Sequence, residues 1–118
     1  MTLIEVLVAV TIVAIVVVGA VAFVVNSRTA VEVAGKRRTA TQVAAERLER
    51  ARGSGYAAVA NAAGTLYLDG TTYTWTLTVL TVLADPADAG SAYKLIEVSV
   101  DWRTSDGNPV VLRTAISP

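Results

Sequence analysis

The sequence predicts an α+β protein in which one long N-terminal helix packs on a four-stranded antiparallel sheet. An uncharged, apolar run over residues 6–27 leads into a proline-free, helix-compatible segment at 28–52. From residue 65 onward, apolar and polar side chains alternate, which is the pattern of strands with one buried face. The chain of 118 residues contains no cysteine, so one modest domain must be stabilised without disulfides.

The first half of the helix, residues 1–27, is predicted to cross a membrane. Its 22 uncharged residues from Val6 to Ser27 form a helix about 33 Å long, more than the roughly 30 Å of the hydrocarbon layer. Helix is the expected state because backbone groups in lipid find no other hydrogen-bond partners. The small residues that let neighbouring helices approach are Ala9, Ala14, Gly19, Ala20 and Ala22. Of these, Gly19 is the weakest helix former and the expected point of local unwinding.

The second half of the helix, residues 28–52, is predicted to be amphipathic and to begin a head domain, residues 28–118. Its surface carries two acid-first pairs at i,i+4 spacing, Glu32–Lys36 and Glu46–Arg50. Arginines in the last turns, followed by Gly53 and Gly55, predict a helix end near residue 52. One helical stripe carries the apolar side chains Val33, Ala40, Ala44, Leu48 and Ala51.

A loop at residues 53–64 is predicted to lead into the sheet, residues 65–118. A first strand at Thr65–Leu68 and a second at 72–79 flank Asp69-Gly70, which is a hairpin turn signal. A sheet with one apolar face needs a cover, and the stripe of the second helix half is the predicted cover. We expect Tyr73, Trp75 and Trp102 to fill the space between them.

The second half of the sheet is predicted from the same alternation. Residues Asp85–Ala92 contain Pro86 and Gly90 and are predicted to form a loop. Lys94–Arg103 is the predicted third strand. The turn signal Asp106-Gly107-Asn108 precedes the fourth, Val110–Ile116.

Charge is unevenly distributed, although the formal net charge is zero. Residues 28–52 carry seven basic and three acidic side chains, a net +4, whereas residues 53–118 carry three basic and six acidic ones, a net −3. Glu5 closes the sum. A basic helix and an acidic head are complementary surfaces that suit copies of the chain packing on one another. Two independently solvated faces are the alternative interpretation.

The composition argues against a catalytic or metal site. The chain has no histidine and no cysteine, which removes thiol nucleophiles and the usual zinc and haem ligands. It also has no glycine-rich phosphate loop, and no carboxylates are paired in apolar surroundings. We therefore expect no enzyme activity, no metal and no cofactor.

Glu5 stands out because it is the only charged side chain before Arg28. An ionised carboxylate in hydrocarbon costs about 2.5–3.5 kcal/mol on insertion scales, so it normally has a partner. The segment Met1-Thr2-Leu3-Ile4-Glu5-Val6-Leu7-Val8 resembles the N-terminus of mature type IV pilins and pseudopilins, which typically reads Phe-Thr-Leu-Ile-Glu before a long apolar run. A cleaved signal peptide would instead have a basic n-region. A simple membrane anchor leaves Glu5 unexplained.

The resemblance covers residues 1–25 in sequence and the whole chain in layout, and it implies the pilin fold. It implies that Met1, standing where the family usually has Phe, is a processed and N-methylated N-terminus. In a bundle of staggered helices, the Glu5 carboxylate of one copy would meet the Met1 amine of a neighbour, and the Thr2 hydroxyl would bond to the same cluster. Many pilins carry a proline near position 22, where this chain has Ala22, so any unwinding on assembly would depend on Gly19.

The implied function is structural: a major pilin that polymerises through its N-terminal helix into an extracellular filament for twitching motility, adhesion or DNA uptake. The implied partners are copies of the chain itself, a prepilin peptidase that also methylates, an inner-membrane platform protein and the pilus ATPases. Before assembly the chain would span the bacterial inner membrane. A minor pilin and a type II secretion pseudopilin are the alternatives within the family. A single-span, membrane-anchored binding module is the alternative from another class.

The basic side chains of the stem have two interpretations. These residues, here called the basic stem, are Arg28, Lys36, Arg37 and Arg38. Pairing with acidic residues of neighbouring copies is the preferred one, since the resemblance implies that much of this helix is buried between subunits. Contact with DNA phosphates is the weaker alternative.

Overall fold

A computed structural model of the chain describes residues 2–85, 87–102 and 108–118. It contains one helix packed on a four-stranded antiparallel sheet, which confirms the predicted α+β class. The elements are α1 (Leu3–Ser54), β1 (Ala62–Leu68), β2 (Thr71–Asp85), β3 (Asp88–Asp101) and β4 (Val110–Ile116). The chain divides into two compact units, Met1–Gly35 and Lys36–Pro118.

Helix α1 ends at Ser54, two residues later than predicted, and the next residue, Gly55, adopts a left-handed conformation. Gly55 has φ +83°, and its N–H donates to the carbonyl of Arg52 at 3.2 Å. The Ser54 hydroxyl donates to the carbonyl of Ala51 at 2.7 Å. These two bonds satisfy carbonyls that a helix end leaves open, and the positive φ explains why a glycine follows the helix.

The sheet has the strand order β1-β2-β3-β4, with every neighbouring pair antiparallel. Asp69 and Gly70 join β1 to β2 with φ values of 47° and 75°, the left-handed pair that a tight two-residue hairpin needs. This confirms the predicted turn. Strand β1, however, begins at Ala62 and not at Thr65, because Ala62, Ala63 and Gly64 pair with Leu77, Thr76 and Trp75.

The predicted loop at Asp85–Ala92 is wrong, because β2 continues to Asp85 and β3 begins at Asp88. Short polar side chains close this hairpin. Asp85 accepts a hydrogen bond from the N–H of Ala87 at 2.8 Å, and Asp88 accepts one from the N–H of Gly90 at 2.9 Å. The Ser91 hydroxyl accepts from the N–H of Asp85 at 3.0 Å. These bonds replace ladder bonds at the tip, so proline and glycine signals mark a tight turn here.

The third predicted strand, Lys94–Arg103, lies within a longer observed strand, Asp88–Asp101. Arg103 and the predicted turn residues Asp106 and Gly107 lie outside the described residues. The fourth strand has the predicted bounds, Val110–Ile116.

The core lies between residues 40–51 of α1 and one face of the sheet. Ala40 and Ala44 are fully buried, as are Ile96, Val98 and Val100 of β3. Alanines allow the helix backbone to come close to the branched side chains of the sheet. The other buried members of this cluster are Val43, Ala51, Val59, Tyr73 and Leu77, with Leu48, Trp75, Val79 and Trp102 among those packed around it.

The predicted stripe is therefore correct for Ala40, Ala44, Leu48 and Ala51, and Val43 is an addition to it. Val33 is half-buried and belongs to the other unit. The expectation that Tyr73, Trp75 and Trp102 pack between helix and sheet is confirmed.

The segment after the helix is tied to the sheet by Lys94 of β3. Its Nζ donates to the carbonyl of Tyr56 at 2.6 Å and lies 4.6 Å from the centroid of the Tyr56 ring. Val59 is buried in the core a few residues further on. This segment is consequently held at both ends, although it has no regular secondary structure between residues 55 and 61.

Candidate functional site

The most unusual surface of the molecule is the apolar first part of α1. Every described residue from Thr2 to Asn26 is exposed, and leucine, isoleucine, valine and phenylalanine make up most of this stretch. Leu3, Val18 and Phe23 are each more than two-thirds exposed. Soluble proteins rarely expose a contiguous apolar patch of this extent, and a patch of this kind marks a surface that contacts other protein or a membrane.

Helix α1 is long and apolar enough to cross a membrane, judged by its length and composition. Its most apolar window of 18 residues has a mean hydropathy of 3.1, and none of that window is buried within the fold. The core helix of a soluble protein would be covered by its own chain. This segment therefore needs lipid or other protein as its surroundings.

Glu5 lies in the first turn of this apolar helix, at an exposed position. The carbonyl of Thr2 accepts hydrogen bonds from the N–H groups of Glu5, at 3.1 Å, and Val6, at 3.3 Å. Thr2 therefore occupies the cap position that precedes the helix. The Glu5 carboxylate forms no side-chain hydrogen bond or ion pair with any other residue in the described ranges.

The pairing of Glu5 with a neighbouring amine stays a prediction, since Met1 lies outside the described residues. A signal that the sequence reasoning missed is the spacing Thr2-x-x-Glu5. It matches the capping box, in which a threonine at the cap and a glutamate three residues later satisfy N–H groups of the first turn. The structure shows neither bond of that box among the described residues, because the N–H of Glu5 donates to the carbonyl of Thr2 and the Glu5 carboxylate accepts no hydrogen bond.

The helix is continuous at Gly19, and a Cβ added there would meet no atom within 4 Å. The glycine is thus not required by packing inside the chain. Thr11, the polar side chain within the apolar run, donates its hydroxyl to the carbonyl of Leu7 at 2.8 Å. Its polar group is therefore satisfied within the helix, as a hydroxyl in lipid has to be.

The basic stem is distributed over the two units, with Arg28 in the first and Lys36, Arg37 and Arg38 in the second. Arg28, Arg37 and Arg38 are exposed, whereas Lys36 is half-buried. The three guanidinium groups form no ion pair with any residue that the structure describes. They remain available for acidic or phosphate partners.

Ion pairs further along the helix follow the expected spacing. Arg50 contacts Glu46 at 2.6 Å across one turn, which confirms the predicted pair. Both side chains are more than half exposed, so the contribution to stability is about 0.3–0.5 kcal/mol.

No group of three or more acidic side chains with metal-binding geometry occurs within residues 2–85, 87–102 and 108–118. The absence of enzyme activity and of cofactors stays a prediction.

In comparisons with known proteins, no family model, no curated protein and no solved structure matches the chain.

Proposed function

We propose that this chain is a structural subunit of a type IV pilus, a major pilin that polymerises through residues 1–27 into an extracellular filament. The observation that carries the proposal is the exposed apolar first part of α1, residues 2–26, with one carboxylate, Glu5, in its first turn. The sequence around Glu5, Met1-Thr2-Leu3-Ile4-Glu5, resembles the start of the mature subunits of such filaments.

The exposed helix would have two surroundings in succession, first the lipid of the inner membrane and then the other helices of the filament. In the inner membrane, lipid covers the apolar side chains from Leu3 to Val25. In the filament, the corresponding helices of neighbouring copies replace the lipid. Both states remove the same apolar area from water, at about 25 cal/mol per Å², so the exchange is not opposed by exposure to solvent.

Apolar side chains alone do not fix the axial position of one subunit relative to its neighbour. In this proposal Glu5 fixes that position. Each buried charge is costly on its own, and a carboxylate next to the amine of Met1 on a neighbouring copy offsets much of that cost. The pair acts as a device for registration more than as a source of net stability. In this cluster the Thr2 hydroxyl would bond to the same pair.

The proposal includes the partners that such subunits use. A prepilin peptidase would generate and methylate the N-terminus at Met1, and a platform protein with its ATPases would add and remove subunits. Motility, adhesion and DNA uptake are the outputs of filaments of this kind. The guanidinium groups of the basic stem are exposed. Neighbouring subunits are the favoured partner because the resemblance implies that much of this helix is buried between subunits, and DNA phosphates are the secondary partner.

The test replaces Glu5 with glutamine and counts filaments by electron microscopy of whole cells. We expect the Glu5→Gln chain to insert into the membrane at the normal level and to form few or no filaments. Glu49→Gln is the matched control, because it removes one exposed carboxylate from the same helix outside the apolar segment. Normal filament number and length with Glu5→Gln would contradict the proposal.

A minor pilin or a type II secretion pseudopilin is the second candidate. The end of the chain favours it, because Val98-Ser-Val-Asp-Trp-Arg-Thr and Val110-Val-Leu-Arg-Thr resemble the terminal hairpin of some of those proteins. Abundance distinguishes the two roles. A major subunit is the dominant band in sheared filaments, whereas a minor one is a trace component. A chain that is never found in filaments would support the single-span binding module.

A further inference from the structure

An open, mostly apolar groove lies beside Trp75, between the end of α1 and the start of β1. Its volume is about 310 Å³. Arg47, Arg50, Ala51 and Ser54 line its helix side, and residues 58–62 form the opposite wall, with Trp75 and Leu77 of β2 between them. We call this the Arg47 groove. All its residues belong to the unit Lys36–Pro118.

Arg47 is the unusual residue of this groove. Its guanidinium carbon lies 4.4 Å from the centroid of the Trp75 ring, and its buried Nε has no hydrogen-bond partner within residues 2–85, 87–102 and 108–118. It forms no ion pair with any of the residues that the structure describes, whereas Arg50 one turn later is paired with Glu46. A half-buried guanidinium without an ion pair gains most from a carboxylate, since charge-assisted bonds are the strong ones.

The end of the β2–β3 hairpin carries both carboxylates and exposed apolar side chains. The pairing of β1 with β2 stops at Leu77, and the pairing of β4 with β3 stops at Lys94. Residues 80–85 and 88–93 therefore form a two-stranded extension that no other described strand flanks, and we call it the hairpin arm. Asp85 and Asp88 lie at its tip, and Leu80 and Leu83 on its strands are 58% and 54% exposed.

The aspartates of the arm retain capacity to bind. Each uses one oxygen, Oδ1, to accept the N–H of a residue two positions later. A carboxylate accepts more bonds than this, so the second oxygen of each is available to a guanidinium from outside. Leu83 lies on the opposite face of the arm from Leu80, because the two are three residues apart on one strand, and the apolar lining of a groove would cover it.

We propose that the hairpin arm of one copy docks in the Arg47 groove of a second copy. The acidic tip then meets Arg47 and Leu83 meets the apolar lining, so charge and hydrophobicity both match. Arm and groove are different surfaces of the same chain. Such a head-to-tail contact does not close on itself in general, and its repetition generates an open helical polymer. The inference deepens the proposed filament function, on which it rests for the polymer but not for the contact between two copies.

The chain has no cysteine, so introduced thiols report on a single contact. Full-length Ala58→Cys carries a thiol on the exposed wall of the groove, and full-length Leu83→Cys carries one on the arm. Copies of the two variants, distinguished by a size tag, are mixed in liposomes and oxidised. A disulfide forms where the Cα atoms come within about 7 Å. The matched control mixes Ala58→Cys with Tyr67→Cys, whose thiol lies near the other exposed turn, at Asp69-Gly70.

We expect mixed dimers from Ala58→Cys with Leu83→Cys and not from the control. The docking would be overturned if only the control pair, Ala58→Cys with Tyr67→Cys, gave mixed dimers. It would also be overturned if neither pair gave them. The same variants are then assembled in cells. Filaments without the disulfide would refute the docking but not the pilus function. The disulfide without filaments would refute the pilus function but not the docking.

Charge is tested with a substitution that keeps the fold of the tip. Asp85→Asn with Asp88→Asn retains the oxygens that accept the turn hydrogen bonds but removes both charges. We expect the cross-linking rate to fall roughly tenfold, as for the loss of a close interfacial charge pair. Asp69→Asn, at the other turn, should leave the rate unchanged. An unchanged rate with the double variant would overturn the role of the carboxylates.

Discussion

The guanidinium carbon of Arg47 lies 4.4 Å from the centroid of the Trp75 ring, which joins α1 to β2 through a cation–π contact. On the strand beside Trp75, Gly64 is its direct partner in the ladder. The indole covers this glycine so closely that an added Cβ would lie 2.9 Å from a ring carbon. Helix, indole and edge strand thus form one packed stack.

We expect Arg47→Ala to lower the free energy of unfolding by about 1–2 kcal/mol, because a partly desolvated cation–π contact contributes that much. The measurement is urea unfolding of the full chain in detergent micelles. Arg50→Ala is the control, because its exposed pair with Glu46 is worth only about 0.3–0.5 kcal/mol. Equal effects of the two substitutions would contradict a special role for the ring contact.

Gly64→Ala should lower the free energy of unfolding by about 1–3 kcal/mol, since the new methyl group forces the Trp75 indole away from β1. The fluorescence of Trp75 should shift to longer wavelength as the ring becomes more exposed, measured with Trp102 replaced by Phe. Gly53→Ala is the control: a Cβ there meets no atom within 4 Å, and the helix should gain about 0.5–1 kcal/mol.

Two adjacent alanines test how tightly the helix packs on the sheet. Ala44 is fully buried whereas Ala45 is exposed. We expect Ala44→Leu to cost about 1–3 kcal/mol through overpacking and Ala45→Leu to change the stability by less than about 0.5 kcal/mol. Thermal unfolding followed by circular dichroism measures both. A tolerated leucine at position 44 would show that the helix is not held against β3.

The side chain of Asn61 extends the ladder beyond the start of β1, because its Oδ1 accepts the N–H of Val79 at 2.7 Å. Asn61→Ala should therefore speed amide hydrogen exchange at Val79 by roughly tenfold, the equivalent of one hydrogen bond. Asn61→Asp retains the acceptor and should preserve the protection. Equal exchange in the alanine variant and the parent chain would rule out this bond in solution.

The helix and the buried strand faces were predictable because their signals are local and periodic. The apolar run, the arginines before Gly53 and the alternation around Trp75 each lie within a few residues of the element that they specify. The tight hairpin at Asp85–Asp88 was not predicted, because proline and glycine mark a loop and a tight turn equally well. Side chains of Asp85, Asp88 and Ser91 decide between them.

Other features depend on contacts that are distant in sequence. Ala62, Ala63 and Gly64 have little tendency to form a strand on their own. They are a strand because β2 offers its edge and Trp75 covers the glycine. The stacking of Arg47 on Trp75 links positions 28 residues apart, so no local pattern announces it. The partner of Glu5 is predicted only from the family resemblance, because no sequence pattern around a carboxylate at a helix start identifies the cation that pairs with it.

The bond from the Thr11 hydroxyl to the carbonyl of Leu7 has a consequence for how this helix relates to its neighbours. With that proton donated inside the helix, the side chains from Val6 to Val25 offer no free hydrogen-bond donor to their surroundings. No donor on these side chains can therefore fix the rotation of the helix about its own axis. Its rotational setting has to come from shape, as a notch at Gly19 provides, or from the ends of the segment.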